Sequence, residues 1–184
     1  MRKLLLIICA MLAFNAIAQE NYGKLSISGY VQTEVEDATS FQADYSYNEF
    51  INNNVYVSCG AGVIYSALWN TTIGLPSANS LSICAPINLG YRMKLENTGE
   101  FNIYTGVQPT LLLFGYNYDK RYDEVYKEDI NPFGISYNIG VSVRAMKKFG
   151  VFVEYNHALT IPTFGIYGNG VSNALKLGFF FTFE

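Results

Sequence analysis

The chain is expected to be all-β: a closed antiparallel up-and-down transmembrane β-barrel of about eight strands. Three observations predict this. Apolar residues recur at every second position through most of the chain, the period of a strand rather than a helix. Charged residues are 15% of the sequence, against about 25% in ordinary soluble domains, as a lipid-facing surface requires. The chain also opens with the three parts of an export leader: Arg2 and Lys3, an apolar run from Leu4 to Phe14, and Ala16-Ile17-Ala18 as a small-residue cleavage pattern. Residues 1–18 are therefore read as a cleaved signal peptide and 19–184 as a single barrel domain. Lipid attachment at Cys9 fits poorly, because Ile8 precedes it and the apolar run continues past it.

In each of the eight segments the odd-numbered residues form the apolar face. Leu25 to Val35 sets Leu25, Ile27, Val31 and Val35 against Ser26, Ser28, Gln32 and Glu34. Phe41 to Phe50 sets Phe41, Ala43, Tyr45 and Tyr47 against Gln42, Asp44, Ser46 and Asn48. Asn52-Asn53-Asn54 turns the chain into Val55 to Leu68, with Gly60 and Gly62 on the even face. Leu81 to Leu95 is the most regular, and Pro86 within it predicts a local defect, with another near Pro109. Asn97-Thr98-Gly99 closes a hairpin into Phe101 to Phe114. Phe133 to Met146, a turn at Lys147-Lys148, Val151 to Ile161 and Leu175 to Phe183 complete the set. Turns at Asn52, Asn97 and Lys147 are short, while Trp69–Ser80, Gly115–Pro132 and Pro162–Ser172 are expected as longer loops, the asymmetry of an outer-membrane barrel. The link Glu36 to Ser40 is short where a long loop belongs, so the strand count is least secure there; an even number favours eight.

A soluble lipocalin-like barrel, with the odd face around a ligand, fits the same alternation. Its outer, even face should then carry Lys and Glu, yet the mid-strand even positions are mostly Ser, Asn, Gly and Gln, which suit a narrow lumen. Odd-face aromatics also gather toward strand ends: Tyr47, Tyr91, Phe101 and Phe183 on the expected periplasmic side, and Phe41, Tyr65, Trp69 and Phe133 on the outer side. No later stretch approaches the ~18 uninterrupted apolar residues of a membrane helix. A net charge of −3 without a basic patch argues against nucleic acid as a partner. Cys59 and Cys84 have opposite parity and should be free thiols.

The run Ala85-Pro86-Ile87-Asn88-Leu89-Gly90-Tyr91, the hairpin ending in Thr105-Gly106 and Asn173-Ala174-Leu175-Lys176-Leu177-Gly178 with its aromatic end together resemble the porin-like outer-membrane β-barrel domain proteins of Gram-negative bacteria, of the small eight-stranded type. The resemblance spans essentially the whole mature chain and implies an integral outer-membrane protein of the cell envelope. It brings no catalytic residue with it.

No catalytic, cofactor-binding or metal-ligating residue is assigned. The lone histidine, His157, falls on the lipid-facing side without the serine two positions on that lipid A deacylases pair with it. Asp119, Asp123, Glu124, Glu128 and Asp129 could hold calcium, but Lys120, Arg121 and Lys127 sit among them, which reads as a solvated loop. Gly168-Asn169-Gly170 lacks the strand-to-helix setting of a phosphate cradle. The expected role is structural, adhesive or binding through extracellular loops, above all 115–132 with its tyrosines. A narrow channel or small-molecule carrier is the alternative, and a lipid-modifying enzyme comes third. Expected partners are outer-membrane lipids, the barrel-assembly machinery during insertion and a ligand or surface partner at that loop; no cofactor is expected. Inside the lumen, Glu34, Glu36, Asp44 and Glu154 balance Arg92, Lys94, Arg144 and Lys176. This balance predicts a Glu34–Lys176 pair across the seam and an Arg144–Glu154 pair across a hairpin.

Overall fold

Alternation of period two places successive side chains on opposite faces of a strand, and the fold follows from giving those faces different surroundings. The computed structural model describes residues 21–32, 38–70, 75–95, 99–117, 131–160, 163–164, 167–168 and 173–183. The strands are β1 (Tyr22–Gln32), β2 (Ala38–Phe50), β3 (Val55–Asn70), β4 (Leu75–Cys84), β5 (Ile87–Lys94), β6 (Glu100–Asn117), β7 (Phe133–Arg144), β8 (Phe149–Thr160), β9 (Thr163–Phe164), β10 (Tyr167–Gly168) and β11 (Ala174–Phe183). β4 and β5 run end to end between β3 and β6, so they form one stave of the wall. Each stave pairs antiparallel with two neighbours, and β1 closes the ring against β11. The result is a closed eight-stave barrel. β9 and β10 make a separate small hairpin within the expected 162–172 loop.

The register fixes the stagger. Starting at Tyr22, partners run through Asn48, Ser58, Asn88, Gly106, Asn138, Asn156 and Ala174 and return to β1 at Gln32, ten residues along the strand. Closing a sheet with such a stagger tilts its strands by roughly 35–45° to the barrel axis. Every residue on this path is even-numbered. Most of its side chains are polar and buried, so a girdle rich in asparagine winds once round the interior.

Odd residues face outward. Ile27, Tyr45, Val63, Leu89, Ile139, Val153 and Phe179 are all exposed, and Phe133 is 65% exposed. Cys59 lies on the outside and Cys84 on the inside, both as free thiols. Lumenal glycines have a defined use. Tyr56, Tyr104, Phe152 and Phe180 stand directly opposite Gly90, Gly140, Gly178 and Gly150 in the register, and each ring lies over its glycine. A Cβ added at Gly140 would sit 2.6 Å from Tyr104 Cζ, and one at Gly178 would sit 2.7 Å from Phe152 Cε1. Aromatic cover of glycine in this way pins register as well as filling space.

Several expectations need correction. β1 starts at Tyr22, earlier than expected, and is described as far as Gln32; the expected end at Val35 lies outside the described residues. The expected loop Trp69–Ser80 is largely a continuation of β3 and β4, paired from Leu68–Ala78 to Asn70–Leu75 with a bulge at Ser77. Pro86 does interrupt its stave, between β4 and β5, but Pro109 does not break β6. Pro109 faces Ala85, whose N–H donates to the Pro109 carbonyl at 3.0 Å, and Gly60 donates to the Pro86 carbonyl at 2.9 Å. The two prolines thus sit side by side in the wall, and the ladder loses both donors at one place. The bulge in β6 is at Leu113, between the pairs Leu81–Phe114 and Ser82–Leu112.

Candidate functional site in the barrel lumen

Two polar clusters fill the interior, one at the end with short turns and one above it. At the short-turn end Glu100 opens β6 opposite Arg144 in β7 and diagonally from Arg92 in β5. Glu100 Oε1 accepts from Arg144 Nη2 at 2.6 Å and from Arg92 Nη1 at 3.3 Å. Arg92 is 1% exposed; its Nη2 donates to the Asn53 carbonyl at 2.9 Å, and its guanidinium lies 3.7 Å from the Phe50 ring centre. Arg144 reaches Thr182 Oγ1 at 3.3 Å and lies over Tyr22. Tyr22, Phe50 and Tyr56 form the apolar floor. Stacked arginines beside a shared carboxylate keep their charge at low cost because each guanidinium has both a plane and a fork to satisfy.

The second cluster joins opposite walls. Ser26 Oγ donates to Asp44 Oδ2 at 2.7 Å, and Gln42 Nε2 donates to Asp44 Oδ1 at 2.8 Å and to Gln108 Oε1 at 3.2 Å across the lumen. Tyr30 donates to Gln42 Oε1. Lys176 Nζ meets Glu154 Oε1 at 3.3 Å, and Asn156 Nδ2 donates to the same oxygen at 2.9 Å. Lys24 lies over the Tyr104 and Phe180 rings, and Lys176 over Tyr30 and Phe152. The expected fillers Tyr30, Tyr104, Gln108, Asn138, Phe152 and Asn156 are all buried; the Gln32 side chain lies outside the described residues.

The expected Arg144–Glu154 pair is not formed. Counting back from the 145–148 turn, Arg144 faces Gly150 and Glu154 faces Gly140, so the two charges stand at different heights and take Glu100 and Lys176 instead. Glu34 and Glu36, and with them the seam pair to Lys176, lie outside the described residues. Lys94, on the inward face opposite Glu100, is exposed at the strand end. Sequence reasoning passed over Lys24 and Glu100, although both are even-numbered. Extending β1 and β6 by a few residues at their short-turn ends would have found them.

His157 is exposed on the outer face opposite Tyr137. Among the described residues no group of three or more His, Cys, Asp or Glu could hold a metal ion; the 119–129 acidic group and Asn169-Gly170 lie outside them. What the lumen can do chemically is hold charge in fixed pairs between neighbouring strands. Among the described residues, the lumenal oxygens Glu100 Oε2, Asn102 Oδ1, Asn138 Oδ1, Asn156 Oδ1, Ser46 Oγ and Ser58 Oγ have no hydrogen-bond partner within the protein.

An apolar outer belt around a closed polar interior is the surface pattern of a membrane barrel. The family model for the outer membrane protein beta-barrel domain matches residues 4–183. The chain belongs to this family. Outer-membrane barrels of the family keep short turns on the periplasmic side and longer loops outside. Among solved structures, the outer membrane protein OprG from Pseudomonas aeruginosa is similar at 11% identity, with a TM-score of 0.57, 91% of this chain and 97% of that chain covered. The outer membrane enzyme PagL is similar at 9% identity, with a TM-score of 0.50 and coverages of 88% and 99%. Neisserial surface protein A gives 11% identity, a TM-score of 0.46 and coverages of 90% and 96%. Likeness at this level concerns the barrel fold. A search of curated proteins finds no match.

Proposed function

We propose that this outer-membrane barrel has a sealed lumen and works through its loop end, in a structural, adhesive or binding role, and is not an enzyme. In this reading residues 1–18 direct export, the barrel-assembly machinery inserts the strands, lipids surround the odd face, and segment 115–132 meets an extracellular ligand or surface partner. One observation carries the reading: rings laid over glycines, charges paired between neighbouring strands and a Gln42–Gln108 bond across the lumen occupy the cross-section at successive heights. An interior of eight strands is just wide enough for side chains to fill it. Purified protein in planar bilayers should give no steady large conductance; a reproducible nanosiemens open state would overturn the reading. Expression should also leave the mass of lipid A unchanged, and a mass shift would expose an enzyme.

A narrow channel is the second reading, and the unpartnered oxygens at Glu100, Asn102, Asn138 and Asn156 favour it. They descend the β6–β8 wall from mid-barrel to the short-turn end, and buried acceptors of this kind are where internal water settles. Stopped-flow osmotic swelling of loaded vesicles separates water passage from a closed plug.

A further inference from the structure

The outer wall carries a groove. Val55, Leu89, Tyr91, Ile103, Thr105 and Ile139 line it across β3, β5, β6 and β7, and its volume is about 290 Å³. The register explains the dip: in the outward row Leu89, Thr105, Ile139 the middle position is the short one. Thr105 Oγ1 donates to the Asn138 carbonyl at 2.8 Å, so its hydroxyl is spent within the wall. The lining is almost wholly apolar.

Below the groove the same strands end in cations. Lys94 at the end of β5 and Lys147 and Lys148 in the β7–β8 turn are exposed, and the two turns are neighbours because Glu100 pairs with Arg144. Exposed Met93 and Met146 lie between groove and charge. Leu89 stands five residues from Lys94, about 16 Å along a strand at ~3.3 Å per residue. Tilt shortens this to roughly 12 Å of depth, half of an apolar band about 25 Å tall. The groove therefore lies near mid-membrane and the lysines at the headgroup level of one leaflet.

We propose that groove and lysines form one site for a single anionic phospholipid of the leaflet at the short-turn end. An acyl chain lies over Thr105, and the phosphate is held by the Lys147–Lys148 turn. A second copy of the chain suits this face less well. Barrels inserted in the same orientation would bring identical lysines together at one height across an isologous contact, whereas an anionic headgroup neutralises them.

The test uses folded protein reconstituted in vesicles of equal parts dioleoyl phosphatidylcholine and dioleoyl phosphatidylglycerol, extracted into mild detergent and weighed by native mass spectrometry. One phosphatidylglycerol should be retained several-fold over phosphatidylcholine. The double change Lys147→Gln with Lys148→Gln should bring retention of the two lipids to parity, and Thr105→Phe should lower retention of both. Gel mobility before and after heating confirms that each variant is folded. Equal retention by the unchanged protein would reduce the site to ordinary boundary lipid and overturn the proposal. So would a preference that survives both variants, or, in a background carrying Cys59→Ser, Leu89→Cys barrels cross-linking to one another through the groove.

Discussion

At the scale of the residue, the lumenal charges are the sharpest case of position deciding chemistry. Glu100 is the carboxylate shared by Arg92 and Arg144, and the side chains of Glu100 and Arg92 are almost wholly buried. Removing one partner of a buried pair costs about 3–5 kcal/mol, because the remaining charge is left uncompensated. Glu100→Gln should therefore lower stability in urea by about that amount, as read from the change in gel mobility on unfolding. Arg144→Met should cost less, since Arg144 is the more exposed of the two cations and Arg92 still answers Glu100. The double change should fall short of the sum. The cysteines test the face assignment: a lipid-soluble maleimide should modify Cys59 in the folded barrel and spare Cys84, and equal modification of both would contradict the parity. That parity was legible in the sequence because the two faces meet different solvents, and Leu89 beside Asn88 records the difference directly. The pairs were not legible to the same degree. Arg144 and Glu154 have the right signs and lie on adjacent strands, yet the tight turn fixes a register that sets them apart in height.

At the scale of the element, strand boundaries could be read only where lipid makes the faces differ. Leu75-Pro76-Ser77-Ala78-Asn79-Ser80 belongs to a strand that pairs with β3 and β6, but its sequence shows no apolar alternation by which the strand could be read. The ring-over-glycine pairs, in contrast, are specified by side chains and should behave as units. Gly140→Ala inserts a methyl group against the Tyr104 ring, and overpacking of this kind costs about 1–3 kcal/mol. Tyr104→Leu alone opens space over Gly140. In combination the two changes should be less harmful than their separate costs imply, measured by urea unfolding in detergent micelles. Additive costs would mean that the ring does not rest on the glycine.

At the scale of the whole molecule, the barrel depends on the first and last staves meeting in one register out of several that parity allows. Shifting the seam by two residues would keep every odd side chain outside, so the hydrophobic pattern cannot choose between registers. Interior fit can. With Tyr30 opposite Lys176 and Lys24 opposite Thr182, the Lys176 amine lies over Tyr30 and the Lys24 amine over Phe180. A two-residue slip would break both arrangements at once. The outward pair Ile27 and Phe179 tests this. In a background carrying Cys59→Ser and Cys84→Ser, Ile27→Cys with Phe179→Cys should form a disulfide under mild oxidation, whereas Ile27→Cys with Phe181→Cys should not. The bond would close a loop of more than a hundred residues. Chain-entropy arguments put the stabilisation at about 4–5 kcal/mol for such a loop when the geometry is unstrained. The oxidised barrel should then resist heating that unfolds its reduced form. Efficient cross-linking of the slipped pair would show that the seam has another register, and that the interior, not the seam's own hydrogen bonds, had been assigned too much of the choice.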